Sequence, residues 1–160
     1  MGRRTPAYRM GQMTLLELIR MMEDVAAAQP SVETIVENDV FKLNSCPDVR
    51  YGVFAFVQGT HSGSVDSDFM SWQFNLFYVD RLTGDRSNLN EVQSVGVQTI
   101  DNILRTMDQR GVAVGGYSVV PFSQRFSDEC AGVYCAVSLS APVTNTCEEV
   151  LNENKTIKLI

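Results

Sequence analysis

The side chains that could carry out chemistry are few and scattered in this sequence. His61 is the only histidine, and it lies in a glycine- and serine-rich loop close to Asp66 and Asp68. A protein metal site uses three or four ligands at reinforcing spacing, and this loop does not supply them. No Ser–His or Cys–His arrangement accompanies His61 either. We therefore interpret His61 as a solvated loop residue.

The other motifs that resemble functional sites are incomplete. Segment 80–85, D-R-L-T-G-D, resembles a calcium-binding loop, but Leu82 stands where an oxygen ligand is required. We interpret this segment as a turn between a strand and a helix. The pair Gly115-Gly116 lacks the rest of a phosphate-binding fingerprint. The sequence therefore predicts no catalytic residue, no metal ligand and no cofactor, and a protein that is not an enzyme.

The four cysteines do not form a metal or redox motif. They are Cys46, Cys130, Cys135 and Cys147, and none belongs to a C-x-x-C pair. Cys130 and Cys135 are an odd number of residues apart, so on a regular strand they would point to opposite faces. We predict free thiols that act as small apolar side chains in a reducing cytosol.

Composition indicates one soluble domain without a nucleic-acid-binding face. The chain has 160 residues, of which 44% are hydrophobic and 20% are charged, and its net charge is -6. These values are typical of a globular domain. No apolar run approaches the ~18 residues of a membrane span, and no secretory signal peptide is indicated. An acidic chain lacks the basic surface that phosphate contacts require.

Apolar periodicity predicts two helices and several strands. The first helix begins at the capping box Thr14-Leu-Leu-Glu17 and ends at Pro30, and the second covers 88–107 with Gly111 at its end. The second helix is expected to be capped by Ser87 or Asn88. Strands are predicted at 32–37, 51–58, 69–80, 117–122 and 132–140, and 40–43 is a further candidate.

This order predicts an α+β fold, with an antiparallel sheet of four or five strands and two helices packed on one face. Strands 51–58 and 69–80 are expected to form an antiparallel hairpin with a long loop. An extended N-terminal arm covers 1–13, the domain covers 14–142, and a polar tail that ends in an apolar segment covers 143–160.

The central strands carry apolar side chains on both faces. Trp72, Phe74, Leu76 and Tyr78 are expected to lie under the helices. The opposite face would then present Phe77 and Val79, with either Phe54 and Phe56 or Val53 and Val57. Exposed apolar surface of this extent is rare on monomers. It could be covered by another copy, by the arm and tail, or by a small molecule in a cavity.

Self-association is the simplest of these three explanations, because the arm and the tail are short and mostly polar. The tail ends K-T-I-K-L-I, an alternation that could add a strand to a neighbour's sheet or could be a frayed terminus. The residues predicted to form a subunit interface are Phe54, Phe56, Phe77, Val79, Ile157, Leu159 and Ile160.

The element order and several segments resemble the tail terminator, or tail-completion, proteins of tailed bacteriophages. The likeness is carried by 66–76 (D-S-D-F-M-S-W-Q-F-N-L), by the helix 88–107 and by 125–139 (R-F-S-D-E-C-A-G-V-Y-C-A-V-S-L). The segments F-Y-V-D-R-L and S-N-L-N-E-V-Q-S-V-G also resemble neck and tail ring proteins of crAss-like phages of gut Bacteroides. The likeness spans about residues 14–142.

This resemblance implies a structural virion protein of the phage neck or tail, which connects head to tail or terminates the tail. Such a protein would form a hexameric or dodecameric ring against portal, connector or tail rings, with no active site and no membrane contact. DNA would pass through its lumen without specific binding. The protein would assemble in the host cytoplasm and reside in the virion.

Two other classes of function remain open from the residues alone. A small-molecule-binding or enzymatic α+β domain would use a sheet-lined cavity with Gln73, Asn75 and His61. A bacterial binding module, such as a membrane-peripheral adaptor, is the other alternative.

Overall fold

The computed structural model of the protein describes residues 13–39, 49–123, 129–143, 156 and 158–160. The elements follow the order α1 (Leu15–Ala27), β1 (Thr34–Glu37), β2 (Val53–Gly63), β3 (Phe69–Arg81), α2 (Leu89–Gln109), β4 (Ala113–Val114), β5 (Ser118–Ser123) and β6 (Cys130–Pro142). The predicted α+β class is confirmed. The strand predicted at 40–43, the arm as far as residue 12 and most of the tail lie outside the described residues.

Within the described residues the sheet has six strands and is mixed, so the prediction of a purely antiparallel sheet with four or five strands is wrong. The order is β1-β2-β3-β6-β4, and β5 lies beside β4 on the same edge of β6. β1 is parallel to β2, whereas all other pairs are antiparallel. Parallel neighbours need a long connection, and the chain between 37 and 53 provides one. The predicted hairpin of β2 and β3 is confirmed.

Both helices pack on one face of the sheet and bury the main core there. The helices contribute Leu18, Met22, Ile100, Ile103, Leu104 and Met107, among others, and the sheet contributes Phe54, Phe56, Trp72, Phe74, Leu76, Tyr78, Val133, Cys135, Val137 and Leu139. Trp72, Phe74, Leu76 and Tyr78 therefore lie under the helices, as their alternation predicts. The opposite sheet surface is left free of helices in the described chain.

The ends of the helices follow their sequence signals in part. The Glu17 amide donates to Thr14 Oγ1 at 3.2 Å, which is the bond expected of the predicted cap. Asn88 is the first flanking residue of α2, but its side chain makes no cap hydrogen bond. Instead, Asn88 Oδ1 accepts from the Thr83 amide at 2.8 Å, and Asn88 therefore orders the preceding turn. Gly111 ends α2 with a φ of 96°, a conformation that favours glycine.

Candidate subunit interface

Phe54 and Phe56 lie under the helices, so their predicted place on the opposite face is wrong. Both side chains are 0% exposed and belong to the main core. Phe54 is paired with Tyr78 across the β2–β3 ladder. Directly opposed residues of antiparallel strands share a face, and Tyr78 lies under the helices. Neither phenylalanine can therefore contact a second subunit.

Val53 and its neighbours on the opposite face form a second, smaller core inside the chain. Val79 lies on this face as predicted, but it is 0% exposed and cannot reach a partner. Val49 and Tyr51, which lie just before β2, cover part of this smaller core. The Arg81 guanidinium stacks on Tyr51, 4.8 Å from the ring centroid. The buried members of this cluster are Val53, Ala55, Val79, Phe122 and Cys130.

Beyond the second core, the same face carries an apolar row that is only half covered. Phe77 is paired with Tyr134, and Tyr134 is paired in turn with Val120 on β5. The Phe77 and Tyr134 ring centroids are 6.2 Å apart. Both rings are half-buried, and Val120 is 38% exposed. Phe77 is therefore the one sheet residue of the predicted interface that can contact a partner.

The next row along the strands continues this surface with smaller and more polar groups. Val57 is paired with Asn75, Asn75 with Ala136 and Ala136 with Ser118. Asn75 and Ala136 are exposed, and Val57 is half-buried. We call the surface formed by these two rows the open face, and its residues are Val57, Asn75, Phe77, Ser118, Val120, Tyr134 and Ala136.

Tyr134, Val120 and Ala136 lie on this surface but are not among the residues predicted from the sequence to form the interface. The alternation of Tyr134 and Ala136 with the buried Val133 and Cys135 was the available signal, because β6 residues at even positions must share one face. The pairing of Val120 with Tyr134 depends on the register of β5, which no local pattern specifies.

The apolar end of the chain is exposed. Leu159 is 92% exposed and Ile160 is 115% exposed, while Ile157 lies outside the described residues. The structure therefore leaves two of the three predicted tail residues available for contact with another molecule.

Two of the three residues proposed for a sheet-lined cavity, Gln73 and Asn75, line one pocket on the sheet, whereas His61 does not join them. Asn75 lies on the open face, and Gln73 lies two residues earlier on the same strand. His61 lies on the helix side instead, with its ring centroid 5.9 Å from that of Phe74 and its Nε2 3.0 Å from Gln58 Oε1. A shift of register between Gln58 and His61 changes the alternation of β2 at this point. His61 is therefore separated from the two amides by the sheet.

The segment resembling a calcium loop is a hydrogen-bonded turn, as its sequence predicts. Asp85 Oδ1 accepts from Thr83 Oγ1 at 2.8 Å and from the Ser87 amide at 3.1 Å. These hydrogen bonds, that of Thr83 first, lower the pKa of Asp85 to about 2. Across the described ranges, no group of three or more His, Cys, Asp or Glu side chains is placed to hold a metal ion.

The cysteines that can be placed are buried thiols. Cys130 and Cys135 are both fully buried. Burial raises the pKa of Cys135 to about 11, so its thiol stays protonated at neutral pH. Cys46 and Cys147 lie outside the described residues.

Glu23 on α1 is a mostly buried carboxyl beside Glu37 at the end of β1. Its side chain is 17% exposed, and Arg20 Nη1 lies 3.5 Å from its Oε2. Burial, followed by the hydrogen bond to Glu37 and the charge of Glu37, raises the pKa of Glu23 to about 7, against the opposing effect of Arg20.

We expect Glu23→Gln to remove a pH dependence of stability. The folded-state pKa of about 7 exceeds the ordinary value of 4.5, so the native state binds the proton more tightly than the unfolded state. The stabilisation is complete below pH 4.5 and is lost as the pH rises towards 7. Thermal unfolding should be measured at several pH values across this range. As the pH rises, the melting temperature of the wild type should fall relative to that of Glu23→Gln.

Asp24→Asn is the matched control for this prediction, because Asp24 is the exposed neighbour of Glu23 on α1. It should leave the pH dependence of the wild type in place. Parallel pH profiles for the wild type and Glu23→Gln would contradict the assignment.

No family model matches the sequence, and no match was found among curated proteins. Neither α1 nor α2, the helices of the described chain, has both the length and the apolar character that crossing a bilayer requires.

Proposed function

We propose that this protein is a structural subunit that packs against copies of itself through the open face and forms a ring in the neck or tail of a bacteriophage. The main support for this proposal is a row of three partly exposed side chains, Phe77, Tyr134 and Val120. The row lies on the sheet surface that no helix of the described chain covers. Aromatic residues are enriched at the centres of protein interfaces.

The polarity of the open face suits a contact of this kind. Its centre is aromatic and aliphatic, whereas Asn75 and Ser118 in the neighbouring row are polar and exposed. A buried apolar centre beside a polar rim is the usual arrangement of a protein interface. A second subunit would cover the two rings and leave these polar groups near solvent.

The placement in a phage ring is supported by the sequence resemblance and by the charge of the chain. The resemblance spans about residues 14–142, which include every strand of the sheet. A net charge of -6 would oppose the binding of DNA that passes through a ring lumen. Portal, connector or tail rings are the expected neighbours.

Electron microscopy of the purified full chain tests this function. We expect closed rings of six or twelve subunits around a channel that admits duplex DNA, and no shift of duplex DNA in a mobility assay at physiological salt. Phe69→Asp should form the same rings, because Phe69 lies at the start of β3 and outside the open face. Dispersed single subunits at high concentration would contradict the proposal.

A further inference from the structure

A groove lies between α2 and the outer edge of β5, on the helix side of the sheet. We call it the α2–β5 groove. β5 pairs with β6 on one side, and no strand within the described residues pairs with its other side. Val97 on α2 is 43% exposed there, although it is aliphatic. The groove is lined by Ser94, Val97, Gln98, Asp101, Tyr117 and Val119.

Polar contacts close both ends of the α2–β5 groove. At one end the Tyr117 hydroxyl donates to Asp101 Oδ1, and Arg105 Nε donates to Asp101 Oδ2 at 2.7 Å. At the other end Gln93 Nε2 donates to the Phe122 carbonyl oxygen at 3.2 Å. Pro121, beside that end, has no amide hydrogen to offer. The free stretch of edge is therefore short and suits an added strand of about four or five residues.

We propose that the α2–β5 groove receives segment 156–160 (T-I-K-L-I) from a neighbouring copy of this chain, which adds as a strand to β5. This inference rests on the proposed function. The added strand would hold neighbouring subunits of the ring together. In strand addition, the backbone pairs with the edge while alternate side chains enter pockets. Ile157 and Leu159 would then face Val97 and Val119.

Length and exposure favour this occupant. Leu159 and Ile160 of the same chain are almost fully exposed, so the chain's own segment does not occupy its groove. The stretch 144–155 could span about 40 Å when extended, which is enough to reach a neighbour.

A peptide-binding experiment on the full chain tests this contact. The acceptor is a variant with Ile157→Ser, Leu159→Ser and Ile160→Ser, whose own tail cannot compete. A fluorescent peptide of residues 152–160 should bind it saturably, and Val97→Asp in the acceptor should weaken binding by about tenfold or more.

Asn102→Asp is the matched control for Val97→Asp. It adds the same charge to α2, but on the side that faces Gln29 and Ser31, and it should leave peptide binding unchanged. The absence of saturable binding, or equal binding to the Val97→Asp acceptor, would overturn the inference.

Two further outcomes separate this inference from the proposed function. If the triple-serine variant forms wild-type rings and the peptide does not bind, the strand addition is overturned while the ring proposal stands. Wild-type chain diluted below its assembly concentration should bind the peptide as well as the triple-serine variant does. A diluted wild type that excludes the peptide would show that each tail fills its own groove, which would overturn the exchange between copies.

Discussion

Gly132→Ala is expected to destabilise the fold by about 3 kcal/mol or more. An added Cβ would overlap the Tyr78 carbonyl oxygen, and it would lie 2.8 Å from the Tyr78 carbonyl carbon and 3.1 Å from Val79 Cα. These are backbone atoms of β3, which is held between β2 and β6. β3 cannot move aside without breaking ladder hydrogen bonds. Overpacking usually costs about 1–3 kcal/mol, and a clash with fixed backbone places this substitution at or above that range.

Urea unfolding of Gly132→Ala measures this effect. We expect a midpoint far below that of the wild type, or a chain that is unfolded without urea. Gly84→Ala is the control, because no heavy atom lies within 4 Å of its added Cβ, and its effect should stay within about 0.5 kcal/mol. If the two variants unfolded at the same midpoint, the described register of β3 and β6 would be wrong.

Phe77→Asp is expected to abolish self-association while the subunit stays folded. Phe77 lies at the centre of the open face, where its ring packs against Tyr134. A charge buried at an interface without a partner loses its hydration. A central aromatic residue typically contributes about 2 kcal/mol or more to association, which corresponds to a dissociation constant raised roughly 30-fold. Sedimentation velocity should show the particle replaced by single subunits.

Phe69→Asp is the matched control for Phe77→Asp. Phe69 is 53% exposed at the start of β3, so the same substitution there should leave the particle intact. If Phe77→Asp reduces folding, Val120→Asp tests the same row from an exposed position on β5. An unchanged sedimentation profile for both open-face variants would exclude this surface as the interface.

Local patterns predicted the elements well, because each of them was encoded by neighbouring residues. The Thr14 cap, the alternation from Trp72 to Tyr78 and the end of α2 at Gly111 all follow from such signals. The parallel pairing of β1 could not be read in this way. It depends on the path of the chain between the two strands, which the strand predicted at 40–43 does not specify.

The faces of β2 show why periodicity alone could not place the interface. Residues 51–58 are apolar at both odd and even positions, so alternation cannot tell which set meets the helices. The cross-strand pairing of Phe54 with Tyr78 shows that the even positions of β2 meet the helices. That pairing is a feature of the tertiary structure. The opposite face is also better covered than predicted, since Val49 and Tyr51 help to bury Val53 and Val79.

The excess of apolar surface is therefore smaller and more local than the sequence predicted. Part of it lies in the row of Phe77, Tyr134 and Val120 and at the exposed end of the chain. The account of function depends on whether a copy of the protein covers that row.

The mass of the intact particle in solution tests this point most directly. Native mass spectrometry of the full chain over a range of concentrations should give a closed particle of six or twelve subunits for the wild type and single subunits for Phe77→Asp. A wild-type protein that remains a single subunit at every concentration measured would contradict the account.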